Sequence, residues 1–107
     1  MSGINMKKLS LTPAKTVVLC EALESAAAHL PEDMRHIYHG TAVNARQSCM
    51  GRTYLTDAQV EITKHALELY LKSRPGHAAA VEMLAQLTLT REAFKSYMAI
   101  QQLAMAS

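Results

Sequence analysis

Residues 55–72 read LTDAQVEITKHALELYLK, and this stretch decides the fold. Thr56 and Gln59 have the spacing of a capping box, in which a threonine hydroxyl and a glutamine side chain each satisfy a backbone N–H at a helix start. Leu55 and Val60 hold the two positions of a hydrophobic staple around it. The pattern predicts a helix from Asp57 to about Ser73, ahead of Arg74, Pro75 and Gly76.

Turned at about 100° per residue, this helix carries its charge on one narrow stripe of Asp57, Glu61, Lys64, Glu68 and Lys72. Ala58, Ile62, Ala66 and Leu69 lie to one side of the stripe, and Val60, Leu67, Tyr70 and Leu71 to the other. An apolar arc that wide exceeds the single stripe of a surface helix and calls for cover on two flanks. The expectation is that a second protomer or a protein partner covers one flank, with Val60, Leu67, Tyr70, Leu71, Phe94, Tyr97 and Met98 as interface residues. Met34, Met50, Met83, Met98 and Met105 favour such a surface, because Met adapts its shape to what it touches.

Working outward, Pro31 separates two further helices upstream. The first is expected from Thr12 to about His29, opened by Thr12 as cap and Pro13 at a position where its missing N–H costs nothing. Its inner face is Leu19, Ala22, Leu23, Ala26, Ala27 and Leu30. The second starts with Glu32 and Asp33, whose charge suits a helix N-terminus, and runs to about Gln47, with Met34, Ile37, Tyr38, Thr41 and Ala45 inward. Residues 1–11 show no helical pattern and are expected to form a flexible arm, and Ser48–Leu55 to form the longest loop. Downstream, His77–Leu87 reads as a short helix presenting Val81, Leu84 and Leu87. Thr90 begins a fifth, with Leu89 and Phe94 in staple positions. The fold expected is all-α: one compact five-helix domain over 12–107, the third helix central, the last two a C-terminal hairpin.

Composition narrows the function classes. Of 107 residues half are hydrophobic, but Phe94 is the sole Phe and there is no Trp, which favours Ala-, Leu- and Met-rich helices over sheet. The net charge of +2 lacks the overall basicity of a dedicated phosphate-backbone binder. No apolar run reaches membrane-spanning length, and two cysteines are too few for a disulfide framework. A cytoplasmic location is expected.

Four kinds of chemistry have candidate residues. No acidic residue occurs from Met34 to Thr56, while Arg35, His39 and Arg46 project within about 40° of each other and Arg52 follows, forming a possible anion or partner ridge. His36 and His39 are spaced to share a metal ion, but two ligands do not make a site. Cys20 lies beside an apolar face, where a thiol is inert, and Cys49 stands between Arg46 and Arg52 without a catalytic motif. Val81–Ile100, with Ala85 and Phe94 as packing residues, resembles a helix-turn-helix in outline; that resemblance implies DNA reading by a helix offering Arg91, Glu92, Lys95 and Ser96. The family's turn glycine is replaced here by Leu89 or Thr90.

These readings converge on a non-enzymatic regulatory protein without cofactor or metal. It would dock apolar helix faces onto a protein partner, as an antagonist or anti-activator of a transcription regulator does, and form a homodimer. The alternative is a nucleic-acid-binding transcriptional regulator using the ridge or the last helix pair.

Overall fold

The computed structural model describes residues 6–48, 51–89 and 91–106, with the side chains of the last helix described at 92, 93, 96–100 and 103. In chain order the elements are β1 (Lys7–Ser10), α1 (Pro13–Ala27), α2 (Glu32–Arg46), β2 (Arg52–Leu55), α3 (Asp57–Ser73), α4 (Ala78–Thr88) and α5 (Arg91–Ala106). The chain is mostly helical, and the all-α expectation is corrected by a two-stranded antiparallel ribbon of β1 and β2.

The flexible arm and the long loop are thus both revised. Lys7 pairs with Leu55 and Leu9 with Thr53, so Leu9, Thr53 and Leu55 all turn inward and are buried. Gly51 makes the approach possible: at φ 72 its carbonyl accepts from Leu11 N at 2.7 Å, in a left-handed conformation open to glycine. Ser10 is then fastened to α4, its N–H donating to Gln86 Oε1 at 3.1 Å and its hydroxyl accepting from Gln86 Nε2 at 3.3 Å. Residues 1–5 of the expected arm lie outside the described residues.

Helix starts follow the capping logic. Thr12 Oγ1 accepts from Lys15 N at 3.1 Å to open α1. Both legs of the Thr56 and Gln59 box are formed at α3, at 3.3 and 3.0 Å, with Leu55 and Val60 buried around it. Thr56→Ala should therefore lower stability by about 1 kcal/mol, read as a fall in the urea midpoint at constant slope.

The core lies where α1, α3 and α4 meet, with α2 on α1 and the ribbon beneath α4. α1 shares the centre with α3, burying Leu19, Cys20, Ala22, Leu23, Ala26 and Ala27. Small residues explain this: Ala22, Ala26 and Ala27 let neighbouring helices approach closely. On α2 the inner face is Tyr38, Thr41, Ala42 and Ala45. The expected core residues Met34 and Ile37 are instead 40% and 45% exposed, because α2 rolls its small side, Ala42 and Ala45, onto α1.

The expected interface on α3 is also corrected. Val60, Leu67 and Tyr70 are buried inside this chain, and Leu71 is half-buried against the same core. α1 and α4 clothe the helix on two sides with some help from α2 and β2. Of the remaining interface residues, Tyr97 and Met98 are half-buried on α5, and the side chain of Phe94 lies outside the described residues.

Candidate functional site

Because α1 and α2 fold back on each other around Pro31, residues whose numbers sum to about 62 face one another. Cys20 Sγ approaches the carbonyl of Ala42, and Glu24 approaches His39. The outer side of this hairpin is a groove of about 480 Å³ lined by Glu24, Ala27, Ala28, Glu32, Arg35, His36 and His39. A second hollow of about 540 Å³, holding Cys20, Glu21 and Arg46, meets it at Glu24.

Inside the groove the side chains are held. Arg35 Nε donates to the carbonyl of Leu30 at 2.8 Å, which fixes the guanidinium at the mouth. His39 Nδ1 lies 2.6 Å from Glu24 Oε1; an ionised carboxylate only accepts, so the ring donates from Nδ1 and presents Nε2 away from the glutamate. His36 sits one turn before His39 on the same wall. Ala27 and Ala28 add an apolar patch beside the Glu24 and Glu32 carboxylates and the Arg35, His36 and His39 side chains.

Arg35, His39 and Arg46 therefore do share one flank of α2, as the spacing predicts. That flank faces the carboxylates of α1 and not open solvent alone, so the ridge is partly neutralised from within. Arg52 is not brought to it; it lies on β2, in a separate hollow with Met6, Asn44 and Tyr54. The glutamates went unassigned at the sequence level, although the hairpin sum places residue 24 opposite residue 39. Among the described residues no group of three or more His, Cys, Asp or Glu side chains is arranged to hold a metal ion. Cys20 is a buried free thiol, and Cys49 lies outside the described residues.

Two other polar clusters tie helices together. Tyr38 Oη lies 2.7 Å from His65 Nδ1, joining α2 to α3, and burial pushes the phenol above its ordinary 10.0. Tyr70 donates to Glu21 Oε2 at 3.4 Å, carries the Arg74 guanidinium 4.3 Å above its ring, and meets the ring of His77 edge-on. Each bond is internal, so Tyr70 works as a brace between α1, α3 and α4.

The sequence resembles part of a curated enzyme. Over 70 residues it is 34% identical to pyridoxine 5'-phosphate synthase of Pelagibacter ubique (strain HTCC1062), a match covering 65% of this chain and 28% of that enzyme. The chain thus spans little more than a quarter of the relative's length. No family model matches, and no solved structure matches.

The docking regulator expected from the sequence is overturned by these findings. What the chain resembles is part of an enzyme, and the apolar flank that was to meet a partner is filled by α1 and α4. The nucleic-acid alternative goes with that reading, and the side chains of Arg91 and Lys95 lie outside the described residues. No helix among the described residues is long and apolar enough to cross a membrane.

Proposed function

We propose that this chain binds a small phosphorylated molecule in the α1–α2 groove. The observation that carries the reading is the fixed Arg35 guanidinium beside His36 and His39 in a groove of about 480 Å³, a size ordinary for small-molecule sites. A guanidinium fork suits phosphate oxygens in pairs, and His36 stands beside it as a further hydrogen-bonding group. Glu24 on the facing α1 wall and Glu32 at the start of α2 accept hydrogen bonds from hydroxyls, so a phosphate ester of a hydroxylated molecule matches the groove. The relative named above makes such a compound, pyridoxine 5'-phosphate, and that chemistry supports the class of ligand without carrying over the enzyme's reaction.

The reading is one of binding without catalysis. Arg35 and His39 already spend a hydrogen bond each on fixing their own geometry, which suits holding a ligand in place. A cytoplasmic setting fits the reduced thiol of Cys20 and the supply of phosphorylated metabolites there.

The test is calorimetric titration of the chain with pyridoxine 5'-phosphate and, separately, with inorganic phosphate. Saturable binding of the ester should weaken roughly tenfold to a hundredfold in Arg35→Ala, the loss of one charged hydrogen-bonding partner. Phosphate alone should bind more weakly at the same place. Heat changes no larger than dilution for both compounds, or binding indifferent to Arg35→Ala, would sink the proposal.

A further inference from the structure

The last helix carries exposed apolar side chains. A chain of this length at ordinary density has a radius of gyration of about 13 Å, whereas the described residues give 14.2 Å over a flat outline of 47 × 42 × 21 Å. α5 leans chiefly on α4. Leu103 at 70% exposed exceeds every other exposed large hydrophobic among the described residues, and Ile100 at 63% is matched only by Val17.

The exposed face of α5 has an order to it. Ala93, Ser96, Ile100 and Leu103 are all exposed and follow one another at intervals of three, four and three, the spacing of a seam between paired helices. Two small residues come first and two large ones last. Charge is confined to Arg91, Glu92 and Lys95, and Ser96–Ala106 carries none.

We infer that α5 pairs antiparallel with α5 of a second copy of this chain. In that arrangement Ala93 faces the partner's Leu103 and Ser96 faces the partner's Ile100, so each large side chain meets a small one. The charged start of each helix then lies beside the uncharged end of the other, and the helix dipoles oppose. Parallel pairing does the reverse, setting Leu103 on Leu103 and Glu92 on Glu92. A charged partner protein has nothing to select on a surface without charge, whereas a two-fold axis needs one self-complementary patch, which this is. A single helix pair of about 24 Å is small for an interface, so association is expected to depend on concentration. The inference is independent of the α1–α2 groove, which lies on other helices.

Light scattering across a concentration series tests it. The mass should climb from 11.7 kDa toward twice that value. The double variant Ile100→Glu with Leu103→Glu should stay at one chain with an unchanged helical circular dichroism signal. Ser96→Arg, a milder change on the same exposed seam, should do likewise if the double variant loses helix. Glu92→Cys should not oxidise to a covalent dimer, because the antiparallel arrangement holds the two positions well beyond the roughly 7 Å Cα reach of a disulfide. A wild-type mass of one chain at every concentration, a dimer that survives both seam variants, or rapid cross-linking through position 92 would each overturn it.

Discussion

Leu67→Ala should lower the free energy of unfolding by about 2–5 kcal/mol, the range for removing a fully buried leucine side chain. Leu67 has no exposed surface, and the α3 positions around it, Thr63, Ala66 and Tyr70, are buried as well. α1 and α4 both pack on α3, so the cavity cannot be filled by a small side-chain shift alone. For a domain of this size the loss is a large part of total stability. The measurement is a urea or thermal melt, with the signal change concentrated in the midpoint. A variant as stable as the parent would mean that Leu67 lies on an open face, and the packing of α3 described above would be wrong.

Leu9→Ala should cost a similar amount, about 2–5 kcal/mol, although it falls among the first ten residues. Were those residues a mobile arm, the change would stay within about 0.5 kcal/mol, as surface substitutions do. The two outcomes are far apart and one melt separates them. Leu9 is fully buried across the ribbon from Thr53, and Lys7 on the same strand donates through Nζ to the carbonyl of Leu89 at 3.3 Å. Removing the leucine leaves a hole between the ribbon and the helices, and the contacts of Lys7 and Ser10 with the α4 end of the molecule should loosen with it.

The helices were legible because their boundaries are chemical. Thr12 with Pro13, Pro31 with Glu32 and Asp33, and Thr56 with Gln59 each state a start in side chains that bond or free the backbone locally. The strands were not, since four residues such as Lys7–Ser10 are too few for alternation to register, and their partners lie far along the chain. The apolar arc of α3 was read as wider than the face the fold buries, since Val60, Thr63, Ala66, Leu67 and Tyr70 are buried whereas Ala58 is exposed and Ile62, Leu69 and Leu71 are half-buried. Helical projection gives how much circumference is apolar and is silent on what fills it, and α1 fills it through alanines that carry little weight in such a pattern. Part of the groove was visible in the same way. Arg35, His39 and Arg46 fall on one flank by spacing alone, but only the fold of the hairpin sets Glu24 2.6 Å from His39. Arg52 was grouped with them by nearness in sequence, which a strand with its own direction does not respect.

The pairing of β1 with β2 also fixes an order of events as the chain folds. About forty residues separate Ser10 from its partner Arg52, and bringing the ends of so long a segment together costs roughly 3 kcal/mol of chain entropy if it is unstructured. The hairpin of α1 and α2 occupies nearly all of that segment and shortens the gap once it forms. Ribbon closure is therefore expected to come late and to reopen before the helical core, and amide hydrogens of Lys7–Ser10 should exchange with solvent sooner than those of α3.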